Sequence, residues 1–405
     1  MEQTIDLNGV PQLLLDEYQT RACASNQFSG KAGAIDQLRF GFFGEIGSVL
    51  ALVKKSHRNL EPADLDRINE ELGDALWYLT TTGTEYGVNL RKIGCTAIAE
   101  LQSRFGIERD FSSEQLTFEE IDGLVAFSHG KLLDDEIPLR LRQLCIHCGQ
   151  LLTGGSEEDL ATHPPIPMLS TIMADIVVVG ALFKQCFRSI ASKNLTKIES
   201  RWPPVGAKHL PLFDEGMSGL EQFPRSFSMH FIECKSASGR PYVVQQMKGI
   251  NIGDRLTDNR TAPDGYRFHD VFHLAYVVHL GWSPVIRALL KLKRKSNQDL
   301  DENQDGARAM IIEEGIATWI FNHAHRRHYF ENVSKGRLDY NLLKQVVDMV
   351  DGYEVSACPL WQWELAILDG FSAFRRLRDE GGGVIHADLV SRTLTFERSP
   401  DASRD

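Results

Sequence analysis

Apolar residues recur at helical spacing over the first 105 residues of the chain and predict four helices. The first lies near residues 13–18, and the others are expected over residues 35–55, 65–86 and 90–104. Gly87 is placed to end the third helix, because glycine readily adopts the left-handed conformation found at helix C-termini. Four amphipathic helices joined by short links favour an antiparallel bundle.

The remainder of the chain changes from a helical to a mixed pattern. Helical spacing returns over residues 139–201, interrupted by a Gly- and Pro-rich loop at residues 154–167. Runs rich in β-forming residues at 227–234 and 241–247, separated by Ser-Ala-Ser-Gly, predict a hairpin. Further helices are expected after the hairpin, and the tail after Gly381 is expected to add one small strand.

These patterns predict a mainly α fold, in which two tandem four-helix-type bundles are followed by an α+β domain. A length of 405 residues is compatible with two or three domains. The expected division is a first bundle over residues 1–106, a linker with one short helix over residues 107–138, a second bundle over residues 139–204 and the α+β domain over residues 205–405.

Composition indicates a folded chain and argues against two classes of partner. Apolar residues make up 42 % of the sequence, and the formal net charge of −11 disfavours a protein that coats nucleic acid. No apolar run reaches the roughly 18 residues that a membrane span needs, and the first residues do not resemble a signal peptide. Seven scattered cysteines include a single Cys145-x-x-Cys148 pair, which lacks a second pair for zinc. We expect a cytoplasmic, reduced protein without a nucleic-acid or membrane partner.

Two short segments of the first bundle carry the strongest chemical pattern. Glu45 lies in Gly-Glu-Ile-Gly-Ser (residues 44–48), and Glu71 and Asp74 lie in Glu-Glu-Leu-Gly-Asp (residues 70–74). Residues three apart on a helix face the same side, so Glu71 and Asp74 are expected to present adjacent carboxylates. Such oxygen ligands suit Mg²⁺, and the phosphates of a nucleotide can complete the coordination of that ion. The alternative is an ordinary solvated helix surface.

Together with a pair of lysines that begins at Lys54 and a Leu-Trp-Tyr-Leu run, these segments resemble the MazG-like all-α nucleoside triphosphate pyrophosphohydrolases, relatives of the dimeric dUTPases. The resemblance covers residues 14–104. It implies that Glu45, Glu71 and Asp74 are catalytic ligands of Mg²⁺ or Mn²⁺. It also implies that Lys54 contacts the substrate and that the chain forms a homo-oligomer, a dimer in the first instance, since relatives assemble as dimers or tetramers of bundles.

Two departures from the family pattern stand out. Ser48 replaces the second glutamate of the first pair and adds no negative charge. The family also closes its fourth helix with an Asn-x-x-Lys-x-x-x-Arg pattern. The first bundle has largely lost this pattern, which reappears later as Asn194, Lys197 and Arg201. Alignment from there makes Asp175 the counterpart of the aspartate in the first bundle.

The second bundle therefore resembles a degenerate tandem copy of the first. Residues 146–150 align with residues 44–48, and residues 172–175 align with residues 71–74. The losses are complementary, because one copy keeps carboxylates and the other keeps a lysine and an amide on one helical face.

This complementarity predicts one composite site per chain. Lys197 is the expected catalytic cation, and Arg201 is expected to neutralise charge on the phosphates with it. Asn194 is expected to contact sugar or phosphate, and Trp202 to stack on the base. The alternative is that the second bundle is a scaffold whose basic residues form a solvated face.

The third predicted domain contains a cluster of histidines. His269 and His273 are four apart, so they project from one helical face as zincin ligands do, and Glu314 on a later helix is the expected third ligand. This pattern predicts a second metal site for an ion such as Zn²⁺. His269 with Asp270 also resembles, weakly, the His-Asp pair of HD phosphohydrolases. The ordinary alternative is two histidines at the core edge, bonded to carbonyls.

The region around these histidines resembles the C-terminal domain that is appended to some MazG-like proteins. A basic stretch at residues 291–295, with Arg287 nearby, is expected to be a solvated helix end, with phosphate or nucleic-acid binding as the alternative.

The function that this resemblance implies is Mg²⁺-dependent hydrolysis of a nucleoside triphosphate to the monophosphate and pyrophosphate. A second hypothesis is a nucleotide-sensing module that binds without turnover and regulates a metal-dependent hydrolase in the C-terminal domain. A third places the main activity in the histidine-bearing domain, with the bundles regulating or dimerising it.

Overall fold

The structure is a computed structural model that describes residues 12–108, 110–111, 114–126, 134–154 and 165–399. It is mainly helical, with a five-stranded antiparallel sheet in the C-terminal part. Contacts divide the chain into two compact units, residues 1–199 and residues 200–405. Most of both predicted bundles therefore lies in the first unit.

The first unit is built from helices. Those described are α1 (Leu15–Cys23), α2 (Ala34–Asn59), α3 (Leu65–Glu85), α4 (Leu90–Phe105), α5 (Phe118–Ala126), α6 (Ile137–Thr153), α7 (Ile166–Leu182) and α8 (Phe187–Arg201), whose last two residues fall in the second unit. Helix α2 packs against α3, and α7 packs against both α4 and α6.

Local sequence explains where α3 begins and ends. The Asp64 side chain accepts a hydrogen bond from the backbone N–H of Arg67 at 3.1 Å and so caps the first turn. Leu72 and Leu76 recur at helical spacing and are fully buried. Gly87, with φ of 68°, supplies the left-handed residue just beyond the helix.

Part of the predicted linker belongs to the core of the first unit. Helix α5 begins with Phe118, which is fully buried and packs edge-on against Tyr18 with 5.4 Å between ring centroids. The Asp122 carboxylate accepts hydrogen bonds from the backbone N–H groups of Phe187 and Arg188 at 2.6 and 2.9 Å. Asp122 therefore caps the start of α8. The predicted loop at residues 154–167 lies mostly outside the described residues.

Helices α7 and α8 meet at an angle of 101°. Within the described part of the chain no single helix has the length and apolarity that crossing a membrane requires, and only this bent pair reaches them together.

The second unit contains a sheet with the strand order β3-β2-β1-β4-β5. Its strands are β1 (Ser226–Lys235), β2 (Pro241–Met247), β3 (Ile250–Leu256), β4 (Gly382–Asp388) and β5 (Thr393–Glu397). The hairpin expected from the sequence is β1 and β2, with Phe231 opposite Gln245. The tail was expected to add one strand, but it adds two, since β4 pairs with β1 and β5 pairs with β4.

Helices cover the sheet and complete the core of the second unit. They are α9 (Asp270–Leu280), α10 (Pro284–Leu290), α11 (Gln298–Asn303), α12 (Ala307–His325), α13 (Tyr340–Met349) and α14 (Leu360–Glu380). Helix α9 is buried along its whole length and packs against α14, where Phe272 lies 4.5 Å from Phe371 between ring centroids. This central position of α9 sets the surroundings of its histidines.

Candidate functional site

Three carboxylates of the first unit converge as the sequence predicts. Ligand oxygens of Glu45, Glu71 and Asp74 all lie within 4.8 Å of one another. Glu45 is on α2, and the other two residues are one turn apart on α3. All three side chains are half-buried, so the cluster lies at the edge of the core and remains open to solvent on one side.

A glycine allows α2 to approach α3 at this cluster. A Cβ atom on Gly41 would lie 2.3 Å from the ring of Tyr78, so a larger residue here would force that ring to move. Glu45 follows Gly41 by one helical turn and therefore shares its face of α2. The close packing at Gly41 places the Glu45 carboxylate beside the carboxylates of α3.

The electrostatics of the cluster favour a bound cation. Burial, and then the nearby charges of Asp74 and Glu71, raise the pKa of Glu45 to about 8. Burial also raises the pKa of Asp74, although Lys197 acts in the opposite direction. Three carboxylates so close together repel one another, and a divalent cation with oxygen ligands would relieve that repulsion.

Lys197 on α8 reaches the same cluster from the second predicted copy. Its Nζ lies 2.5 Å from Oδ2 of Asp74 and 2.9 Å from Oε1 of Glu70. The lysine side chain is 22 % exposed, which keeps its charge only partly screened by solvent. The structure thus brings the predicted cation into contact with the predicted carboxylate site.

Asn194 contacts Asp74 instead of being free for a nucleotide. Its Nδ2 donates a hydrogen bond to Oδ1 of Asp74 at 3.0 Å, and its Oδ1 accepts one from the Tyr18 hydroxyl at 2.8 Å. The residue is only 3 % exposed. The expected sugar or phosphate contact therefore gives way to a positioning role, in which the amide orients the Asp74 carboxylate.

Close packing between α3 and α8 makes both contacts geometrically possible. A Cβ on Gly73 would lie 3.0 Å from the Cβ of Asn194 and 3.3 Å from the carbonyl oxygen of Ile190. The glycine of Glu-Leu-Gly-Asp therefore has a structural role. It lets α8 come close enough for the Asn194 amide and the Lys197 amine to reach the neighbouring Asp74.

Ser48 and Lys54, both on α2, differ in their position relative to the carboxylate cluster. Ser48 follows Glu45 by one turn and is half-buried on the same face. Lys54 is exposed and nine residues beyond Glu45, which amounts to two and a half turns and the opposite side of the helix. The structure therefore does not bring Lys54, the expected substrate contact, to the carboxylates.

Arg201 and Trp202 are engaged within the second unit. The Arg201 guanidinium is 4 % exposed, lies 2.9 Å from the Glu364 carboxylate and donates to the carbonyl of Leu338. The Trp202 indole N–H donates to the carbonyl of Gly336 at 3.4 Å. These partners differ from the phosphate and base that the sequence pattern suggested. The reason is that both residues belong to the second unit, where Glu364 on α14 and the chain before α13 supply these partners.

In the second predicted copy, an arginine and a histidine occupy the place that the carboxylate cluster has in the first. Asp175, which aligns with Asp74, is 3 % exposed and lies 2.6 Å from both Arg104 and His147. His147 aligns with Glu45. Arg104 also pairs with Glu100, so a network of ion pairs closes this position. Asp175 is neutralised by an arginine and has no second carboxylate on α7 beside it.

The predicted histidine cluster also forms. Nitrogen atoms of His269 and His273 and an oxygen of Glu314 lie within 4.8 Å of one another. His269 immediately precedes α9, His273 lies one turn later on it, and Glu314 is on α12. Among the described residues, this cluster and the carboxylate cluster are the groups of at least three side chains arranged to hold a metal ion.

Three residues near the carboxylates were not singled out from the sequence. Glu70 accepts from Lys197, Tyr18 holds Asn194, and the Tyr78 ring packs beside the glutamate on α2. Burial, with the nearby carboxylates of Glu45 and Asp74, raises the pKa of Tyr78 to about 12. The Glu-Glu dipeptide at Glu70 was the one available signal, because the contacts of the tyrosines depend on tertiary packing.

Comparison with known proteins concerns the second unit. Residues 208–400 match the family model of the MazG C-terminal domain. No curated protein and no solved structure matches the chain. The match supports a relationship to MazG proteins through the second unit, which is similar to their C-terminal domain.

Proposed function

We propose that the protein hydrolyses a nucleoside triphosphate between its α- and β-phosphates, giving the monophosphate and pyrophosphate in a Mg²⁺- or Mn²⁺-dependent reaction. The observation that carries the proposal is the convergence of Glu45, Glu71 and Asp74 with Lys197. Carboxylates beside an amine provide both halves of a phosphoryl-transfer site, a place for the metal and a charge for the phosphates.

The family match supports the same class of reaction. A MazG C-terminal domain at residues 208–400 suggests a function related to the MazG nucleotide pyrophosphohydrolases. The resemblance of residues 14–104 to MazG-like pyrophosphohydrolases and the geometry of the carboxylates point in the same direction, although they concern a different part of the chain.

The residues present fit a hard divalent cation. Glu45, Glu71 and Asp74 offer only oxygen atoms, and these atoms lie close enough to share one ion. Such an ion would supply charge that polarises the phosphates and assists the attacking water. Ser48 on the same face offers a neutral oxygen at the fourth position.

The side chains of the site have separable roles in this proposal. Asn194 holds Oδ1 of Asp74, and Lys197 holds Oδ2, so this carboxylate has a single orientation. The Lys197 amine also places positive charge where the phosphates would bind. A carboxylate oxygen of Glu71 or Glu45 orients the attacking water. As the water oxygen bonds to the α-phosphorus and gives a proton to that carboxylate, the bond between the α-phosphorus and the bridging oxygen breaks and pyrophosphate leaves.

We also propose that the first unit is a tandem pair in which only one of two related sites works. Asp74 and Asp175 occupy aligned positions, and each meets a cation from a helix outside its own copy, Lys197 for one and Arg104 for the other. The first site keeps three carboxylates that can share a cation. At the second site, His147 and the Arg104 guanidinium stand in that place.

Product analysis tests the reaction. The full chain is incubated with canonical and modified nucleoside triphosphates and Mg²⁺ or Mn²⁺, and the products are separated by ion exchange. Monophosphate and pyrophosphate in equal amounts support the proposal. Diphosphate with orthophosphate contradicts it, because cleavage would then occur between the β- and γ-phosphates.

A second candidate function is favoured by Ser48, which removes one negative charge from the expected ligand set. A site with three carboxylates that binds nucleotide without turnover would act as a nucleotide sensor. Tight binding of a nucleoside triphosphate in calorimetry, without products in the assay above, is the result expected for it.

A further inference from the structure

The histidine cluster of the second unit has a geometry that differs from an ordinary hydrogen-bonded network. Nε2 of His269 and Nε2 of His273 lie 3.7 and 3.6 Å from the same oxygen of Glu314. These separations exceed a hydrogen bond. They are close to the roughly 3.4 Å that separates two ligand atoms bound about 2.1 Å from one tetrahedral metal.

Both histidines use their other ring nitrogen for a contact that orients the ring. Nδ1 of His273 lies 2.7 Å from Oε1 of Glu313, and Nδ1 of His269 lies 2.9 Å from the carbonyl oxygen of Tyr266. A carbonyl oxygen accepts only, so Nδ1 of His269 must be the donor there. Its Nε2 is then free of a proton in the neutral ring and available as a ligand.

Glu313 is a fully engaged acceptor behind the cluster. Its carboxylate is completely buried and also accepts from the Ser283 hydroxyl at 2.6 Å and the backbone N–H of Val285 at 2.8 Å. An acceptor held in this way makes Nδ1 of His273 a donor as well. A carboxylate behind a histidine is the outer-shell arrangement that orients metal-binding imidazoles.

An independent observation is the isolation of Nε2 of His273. The residue has no exposed surface, and this atom has no hydrogen-bond partner among the described residues. Buried polar atoms in native proteins are nearly always satisfied. This nitrogen is therefore available to bond a further group, and it faces the Glu314 carboxylate.

We propose that the second unit binds a divalent first-row transition metal ion, with Zn²⁺ as the best match, through Nε2 of His269, Nε2 of His273 and the carboxylate of Glu314. Two imidazoles favour such an ion over Mg²⁺, which prefers oxygen ligands alone. None of the comparisons with known proteins assigns a metal site here. The site is also separate in sequence from the carboxylate cluster of the first unit.

The three proposed ligands leave one coordination position open. Three protein ligands leave a fourth position of a tetrahedral ion for water or for an oxygen of a substrate. Glu314 is 43 % exposed, whereas both histidines are nearly or fully buried, so solvent reaches the ion from the side of Glu314. Oδ1 of Asp270 lies 3.1 Å from Nε2 of His269 and provides a further carboxylate at the edge of the site.

The competing account is a buried imidazolium held between Glu313 and Glu314. Burial alone would lower the pKa of His273, but the two carboxylates outweigh it and raise the pKa in the metal-free protein. That account requires no metal, and it pairs His269 with Asp270 and Glu314. Metal binding that depends on His269 distinguishes the two.

The test uses the full chain, prepared without a histidine tag and stripped of metal by a chelator, with Co²⁺ as a spectroscopic probe and Zn²⁺ as a competitor. We expect the intense visible bands of tetrahedral cobalt, displaced by Zn²⁺. Glu314→Gln should weaken Zn²⁺ binding by ~100-fold or more, beyond the 10- to 100-fold typical of outer-shell changes. His325→Ala, on an exposed histidine of α12, is the control and should bind as wild type.

A ligand exchange keeps the test decisive if Glu314→Gln is poorly folded. His269→Cys should retain cobalt and add a thiolate-to-cobalt band in the near ultraviolet, which cobalt bound at the carboxylates of the first unit would not produce. The proposal is overturned if tetrahedral bands are absent from the folded wild-type protein. It is equally overturned if the bands are unchanged in Glu314→Gln and His269→Cys adds no thiolate band.

Discussion

Nζ of Lys197 lies 2.5 Å from Oδ2 of Asp74, although 123 residues separate the two in the chain. The ion pair joins α8 to α3 at the point where Gly73 allows the two helices to approach. A carboxylate site that is incomplete in the first half of the unit thereby gains a cation from the second half.

Asp74→Asn is expected to reduce turnover by ~100-fold or more, because it removes a charge that both a divalent cation and Lys197 require. Pyrophosphate release is the measurement. Asp66→Asn is the matched control, since Asp66 is on the same helix, pairs with Lys193 and is 92 % exposed. Equal activity in the two variants would contradict the role assigned to Asp74.

Ser48→Glu is expected to restore the missing negative charge one turn after Glu45. The Mg²⁺ concentration for half-maximal activity should fall about tenfold, which corresponds to about 1.4 kcal/mol. Ser48→Gln has nearly the same size without the charge and should leave this concentration near the wild-type value. If both variants behave alike, Ser48 does not face the metal position.

Arg104→Met is expected to destabilise the protein by about 3 kcal/mol, because it removes the arginine that pairs with the buried Asp175 carboxylate and leaves His147 as its remaining hydrogen-bond partner. Urea denaturation followed by circular dichroism measures the change. Adding Asp175→Asn should recover most of the loss, whereas kcat should stay near the wild-type value throughout. A large loss of kcat in folded Arg104→Met would show that this position still takes part in catalysis.

The stability contributed by Asp122 should fall as pH rises. Burial raises the pKa of its carboxyl to about 6, above the value of about 3.9 for an unfolded chain, so between these values the folded protein holds the proton more tightly. The contribution is greatest at the acidic end of this window and is lost through pH 6. Asp122→Asn keeps an acceptor for the start of α8 without the charge.

Melting temperatures at pH 5 and pH 7 measure this effect. The melting temperature of Asp122→Asn should rise relative to that of the wild type between pH 5 and pH 7, because the asparagine does not ionise. A difference that is the same at both pH values, or that changes in the opposite direction, would contradict the assignment of the shift to Asp122.

Much of the first unit could be predicted because its sequence pattern is local. Helices α3 and α4 begin at the expected residues, Leu65 and Leu90, and end within one residue of the expected positions. The meeting of Glu71 and Asp74 follows from helical spacing alone. Their proximity to Lys197 did not follow from spacing, and its prediction depended on the aligned losses in the two copies.

Contacts made through tertiary packing were harder to foresee. Arg294, in the basic stretch expected at a solvated helix end, is fully buried and paired with Asp305 and Glu354. Strand β3 went unpredicted because Asp254 interrupts the alternation of Ile250, Ile252 and Leu256 and most of the strand is exposed. Arg201 likewise belongs to a sequence pattern that predicts phosphate binding. In the fold, however, its side chain pairs with the Glu364 carboxylate.

The most direct test of the composite site compares Lys197→Ala with Lys193→Ala in the pyrophosphate-release assay. Both lysines lie on α8 one turn apart, but Lys193 pairs with the exposed Asp66, whereas Lys197 contacts Asp74. We predict that Lys197→Ala lowers kcat by ~100- to 1000-fold while the protein stays folded, and that Lys193→Ala is unchanged. Wild-type turnover in folded Lys197→Ala would contradict a catalytic site that combines the carboxylates of α3 with the amine of α8.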